Sequence, residues 1–168
     1  PMSERPDLST DEGRRSFIGY LNDRLPRKRA IAQGVLRNAA GELLLCELTY
    51  KKEWDLPGGV VDPGESPATC VEREVREELG LTLTAGALLA VNWLPAYRGW
   101  DDAVLFLYDL GTLRDDLDPS LFLRREIKDA HWVAMTDVDS HLAPYAARML
   151  ASAAEAEHTA YLEDGVAR

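Results

Sequence analysis

The 168-residue chain predicts an α/β fold, of the α+β kind, with a layered α/β/α architecture. Three observations carry this. Strand-like apolar segments lie on both sides of one amphipathic helix near the middle of the chain. An alanine-rich helical pattern closes the sequence. With 46% hydrophobic residues, the chain is long and apolar enough to bury one core.

Taken in order, Ser9-Thr10-Asp11-Glu12 reads as a helix start, with a capping hydroxyl and early acids. Phe17, Ile18, Leu21 and Leu25 continue at helical spacing, so a short leading helix is expected to end before Pro26. It would cover a sheet edge or join a homodimer. Arg29–Leu36 and Glu42–Tyr50 read as strands of a hairpin around Asn38-Ala39-Ala40-Gly41. Ser66 is a candidate N-cap, Pro67 suits the first helical position and Gly80 the C′ stop. Val71, Val75 and Leu79 then form one apolar stripe. Leu81–Leu94 is expected to hold one or two strands, Pro95–Asp102 a loop, Ala103–Leu110 a buried strand and Glu126–Ala134 another. Asp139 or Ser140 is expected to cap the last helix, and residues beyond Glu163 to fray. The reading divides the chain into an N-terminal extension (1–29), one domain (30–163) and a tail (164–168).

Composition narrows the function. No apolar run approaches the roughly 18 residues that a membrane span needs. The first fifteen residues hold no apolar leader, so export is not expected. Two cysteines, Cys46 and Cys70, make no disulfide framework and read as buried apolar side chains in a reducing, cytoplasmic setting. Residues 1–29 carry seven Lys/Arg against five Asp/Glu, a net +2. That leaves −12 for the rest of a chain whose total is −10. So acidic a body opposes contact with a nucleic-acid duplex. It still admits a small phosphorylated substrate if cations sit on the carboxylates. The basic run Arg24, Arg27, Lys28 and Arg29 is a solvated linker or a phosphate contact.

The chemistry concentrates in Gly59–Leu81, GVVDPGESPATCVEREVREELGL. Glu74 and Glu78 are spaced i,i+4, and Glu74 and Glu77 i,i+3, so the three carboxylates leave one side of a helix. Like charges at that spacing repel. A hard divalent cation, which favours carboxylate oxygens, removes the penalty. A solvated acidic face is the plainer alternative.

The same stretch resembles the Nudix box, Gx5Ex7REUxEExGU with U a bulky aliphatic. Gly59, Glu65, Arg73, Glu74, Val75, Glu77, Glu78, Gly80 and Leu81 fill every specified position. The resemblance extends over about Ala30–Val138. It implies a mixed, curved sheet between helices, with the box as loop–helix–loop. It also implies a Mg²⁺-dependent hydrolase, with Mn²⁺ as an alternative, that splits the diphosphate of a nucleoside diphosphate linked to a group X. Glu74, Glu77, Glu78 and the Gly59 carbonyl would be metal ligands. Arg73 would orient the glutamates, Glu65 would hydrogen-bond the loop, and Glu72 would be solvated. In the family the general base is a box glutamate or a distant acid; Glu126 is the candidate here, with Asp101 and Asp102 as alternatives. Tyr97, Arg98 and Trp100 are candidate substrate contacts. Downstream marks conflict: Pro95, fifteen after Gly80, resembles ADP-ribose pyrophosphatases, whereas Tyr97, seventeen after it, resembles dinucleoside polyphosphate hydrolases. Nucleotide sugars and normal or oxidised nucleoside triphosphates belong to the same substrate range. A non-catalytic Nudix-fold sensor would usually lack box glutamates, and none is missing. An isoprenoid diphosphate isomerase needs a placed cysteine and histidines that Cys46, Cys70, His131, His141 and His158 do not supply.

Overall fold

A computed structural model describes residues 5–168. Helix α1 (Asp11–Arg24) begins where the sequence signals it, with Thr10 Oγ1 accepting from Gly13 N–H at 3.0 Å. None of its residues is buried; Ile18 and Leu25 remain exposed. Strands β1 (Arg29–Asn38) and β2 (Leu43–Leu48) form the expected antiparallel hairpin. A three-residue strand, β3 (Gly58–Val60), pairs antiparallel with β1 and leads into α2 (Pro67–Leu79). Then come β4 (Leu88–Leu94), β5 (Ala103–Leu113), β6 (Ile127–Val133), α3 (Pro144–Glu155), β7 (Ala160–Glu163) and β8 (Val166–Ala167).

All eight strands make one mixed sheet in the order β6-β2-β1-β5-β4-β7-β8, with β3 beside β1. The β1–β5 and β4–β7 pairs are parallel and the rest antiparallel. The alternation of a strand divides β2 between two cores. Leu43 and Leu45 face a cluster that includes Ala146, Met149 and Leu150 of α3. Leu44 and Cys46 face one that includes Cys70, Val71, Val75 and Leu79 of α2. The layers are therefore helix, sheet, helix, as expected.

The span Leu81–Leu94 holds one strand, β4; before it residues 81–87 cross over with Gly86 N–H donating to Asp109 O at 2.8 Å and Asp109 N–H to Ala87 O at 2.9 Å. Two expectations need correction. The last helix starts at Pro144, because proline cannot sit inside a helix begun at Asp139; residues Val138–Ser140 make only a short 3₁₀ turn. The tail also does not fray. Asp164 (φ 51°) and Gly165 (φ 80°) make a tight turn that returns the chain as β8. The turn is anchored where Gly165 N–H reaches the buried Asn92 Oδ1 at 2.9 Å and Asp164 N–H reaches Trp93 O at 2.8 Å.

Candidate active site

Local rules fix the rotation of α2. Ser66 Oγ accepts from Thr69 N–H at 3.1 Å, Pro67 follows at the first position, and Gly80 takes the left-handed cap at φ 71°. Val71, Val75 and Leu79 are then fully buried against the sheet. The acidic side divides into three environments. Glu77 is exposed, Glu74 is half-buried, and Glu78, three residues past Val75, lies at the edge of the apolar stripe and is only 7% exposed. Gly59 allows a close approach: a Cβ there would lie 2.5 Å from the Glu74 carboxylate.

Arg73 organises this side. Its Nε and Nη2 make a two-bond fork on Glu65, at 2.7 and 3.0 Å. Nη1 donates to Glu74 Oε1 and to Glu77 Oε2, each at 3.1 Å. The bidentate pair is thus with Glu65, and Glu74 and Glu77 receive single bonds. Glu65 also accepts from Asp62 N–H at 3.2 Å and so closes the loop before the helix. Arg73 holds the Glu65 carboxyl down at about 2. Burial drives Glu74 the other way, against the pull of Arg73. Burial, then the nearby Glu74 and Glu126 carboxylates, push Glu78 up to about 9, even though Gly58 N–H donates to it. Glu126 therefore lies within the field of both Glu74 and Glu78. Tyr50, although 67% exposed, is raised by partial desolvation and then by Glu78, Asp55, Glu126 and Glu74.

The donor set fits a hard divalent cation. It is all oxygen, Glu74 and Glu78 lie close together at low solvent exposure, and Gly59 leaves no room for a Cβ beside Glu74. Among the described residues, no three His, Cys, Asp or Glu side chains are already gathered as a complete metal shell. Arg73 holds Glu74 and Glu77 while Glu78 turns inward.

The other candidates lie on a separate rim. Tyr97 and Trp100 are exposed, and their backbones pair across the turn at 2.9 and 3.0 Å. Arg98 lies over the Tyr97 ring, 4.8 Å from its centroid, and bonds Glu53 at 3.2 Å. Asp102 is taken up by Lys28 and by Trp93 Nε1, the latter at 2.9 Å, which removes it as a free base. Glu72 is not merely solvated: its Oε2 accepts from Ala85 N–H at 3.0 Å and ties down the segment after α2. Trp54 is packed between His131 and His141, with ring centroids 4.0 and 3.9 Å away.

A NUDIX domain pattern matches residues 27–153, about three quarters of the chain. The chain belongs to the NUDIX domain family. An 8-oxo-dGTP diphosphatase of Haemophilus influenzae is 34% identical over 55 residues, 30% of this chain and 40% of that protein. The MutT protein of Methanosarcina mazei Go1 is similar in structure, with a TM-score of 0.61 and 26% identity over 71% of this chain and 87% of that one. A UDP-X diphosphatase shares the fold, with a TM-score of 0.67 at 17% identity over 91% and 75% of the two chains. The chain spans about half or less of the length of the curated relatives it matches.

Outside the Nudix box, sequence reading missed a buried polar group at its entrance. Asp55, only 8% exposed, accepts from Gln33 Nε2 and from Leu56 N–H, each at 2.9 Å, and from Lys51 Nζ at 3.1 Å. Gln33 is 5% exposed, and its Oε1 has no partner among the described residues. The signal was present: Gln33 is the lone polar side chain in the apolar run AIAQGVL of β1.

Proposed function

We propose that this chain is a divalent-cation-dependent hydrolase that cleaves the diphosphate linkage of a nucleoside diphosphate-X type substrate. The observation that carries this reading is the pairing of Glu78 with Glu74 against Gly59: a buried carboxylate at about 9 beside a second one, where a Cβ on Gly59 would lie 2.5 Å from the Glu74 carboxylate. Buried carboxylates of like sign are costly unless a cation shares them. Glu74, Glu77, Glu78 and the Gly59 carbonyl would hold Mg²⁺, with Mn²⁺ as an alternative. When bound, it neutralises diphosphate charge and acidifies water.

The chain's own residues do the rest. Arg73 keeps Glu74 and Glu77 on one side of α2 through its two Nη1 bonds, and its fork on Glu65 stops it from swinging away. Glu126, on the segment before β6, is the proposed base that takes the proton of the attacking water; the field it shares with Glu74 and Glu78 supports this place. Tyr97 and Trp100 offer exposed rings to a base, and Arg98 a cation to phosphate. The relatives named for 8-oxo-dGTP and for RNA pyrophosphohydrolysis support a nucleotide substrate. No described helix is long and apolar enough to cross a membrane. Two free, buried thiols suit the reducing cytoplasm as the proposed location.

A panel assay tests the reading. ADP-ribose, a nucleotide sugar, a dinucleoside polyphosphate, and normal and oxidised nucleoside triphosphates are incubated with Mg²⁺, and release of nucleoside monophosphate or phosphate is measured. Turnover of at least one, abolished by a chelator, is expected. Binding without turnover across the whole panel would instead favour a sensor.

A further inference from the structure

We infer that Arg29 forms a second anion-binding subsite, separate from the box, that selects substrates bearing a negative group remote from the cleaved diphosphate. This rests on the proposed function for the word substrate, but the subsite itself does not depend on turnover.

Arg29 opens β1, and its backbone pairs with Ala103, three residues after Trp100. That register brings the guanidinium over the Trp100 ring, 4.5 Å from its centroid. A guanidinium held over an indole face and paired with no carboxylate retains N–H groups that can bind phosphate or carboxylate through two bonds. Arg29 is half-buried, yet among the described residues no carboxylate pairs with it. Three acids of this region are already engaged. Glu53 is bonded by Arg98 at 3.2 Å, Asp55 by Lys51 at 3.1 Å, and Asp102 by Lys28. In a chain of net charge −10, Arg29 is thus a half-buried cation without a paired carboxylate among the described residues.

A second, independent observation lies on the same face of β1. Arg29, Ile31 and Gln33 alternate along one face of β1, the face toward the α3 core that Ile31 packs against. Gln33 Oε1 on that face is buried and unpartnered. Tyr145 of α3 lies over this region; burial raises it, with Asp55, Tyr97 and Glu53 adding and Arg29 opposing. Along β1, Ala32 pairs with Gly59, and Arg29 is three residues, about 10 Å, away. An anion at Arg29 is therefore not the diphosphate held at the box. The fitting chemical class is a phosphoryl or carboxylate on the distal part of the substrate.

The direct test uses inorganic phosphate as probe, without divalent cation, so that the acidic box repels it. Titration is followed by tryptophan fluorescence and calorimetry on wild type, Arg29→Gln, Arg29→Lys and Glu77→Gln. Wild type and Glu77→Gln are expected to bind equally. Arg29→Gln should weaken binding about tenfold or more, with Arg29→Lys between. Trp100→Leu, which keeps the cation and removes its platform, should weaken it less than Arg29→Gln and guards against a folding artefact at position 29. No phosphate binding by wild type, or equal binding by Arg29→Gln, would overturn the subsite. A second arm compares UDP-glucose with UDP-glucuronate, which differ by one distal carboxylate. The wild-type preference for the glucuronate should vanish in Arg29→Gln through KM, with kcat unchanged. If phosphate binds at Arg29 but no nucleotide is hydrolysed, the proposed function falls and the subsite stands.

Discussion

Glu65 and Glu78 are carboxylates of one motif, yet their surroundings drive them in opposite directions. Arg73 holds Glu65 down at about 2, and burial lifts Glu78 to about 9. An ordinary glutamate titrates near 4.3. The stability from Glu65 is fully present above that value and lost as pH falls towards about 2. Glu65→Gln should therefore lower stability at pH 6 and flatten the acid dependence; chemical denaturation at pH 6 and pH 3 reads both. Glu78 has the reverse sign. Its contribution is complete below about 4.3 and is lost as pH rises through about 9, so the cation-free chain should weaken over that range. A cation at Glu78 must displace the proton. Mg²⁺ affinity should accordingly rise between about pH 7 and 9 with proton release, measurable by calorimetry in buffers of different ionisation enthalpy. Binding without proton release would contradict the placement of Glu78. The i,i+3 and i,i+4 spacing showed that three glutamates leave one side of a helix. It could not show that Glu78 lies at the buried margin, because a helical period gives direction and not the width of the apolar stripe.

Among the elements, α2 was readable almost to the residue. Its cap, first-position proline, apolar stripe and glycine stop are all local signals, and they agree with one another. Leu79 is fully buried in the α2 core, so Leu79→Ala should cost about 2–5 kcal/mol, read from the denaturant midpoint. The C-terminal hairpin was missed although Asp164-Gly165 is a strong turn signal. The strand after it has only two residues, and its anchor is Asn92, 73 positions earlier in the chain. No local pattern contains that contact. Likewise, Pro95–Asp102 was legible as a loop, but the pairing of Lys28 with Asp102 and of Arg98 with Glu53 depends on how distant strands meet.

For the whole molecule, the layered fold follows from strands on both sides of one amphipathic helix and a closing helix. The mixed sheet carries two apolar faces, each covered by one helix. The catalytic reading assigns the acidic side of α2 to the cation, the rim at 97–102 to the substrate, and Glu126 to the water. α1 stands outside both cores with no buried residue. The central claim is that the box carboxylates hold a divalent cation for diphosphate hydrolysis. It is tested most directly by the Mg²⁺-dependent rate of nucleoside monophosphate release from the best panel substrate, in wild type and Glu77→Gln. Glu77 is exposed, so its substitution should leave the unfolding midpoint unchanged. The rate should fall by orders of magnitude; an undiminished Mg²⁺-dependent rate in Glu77→Gln would contradict the claim.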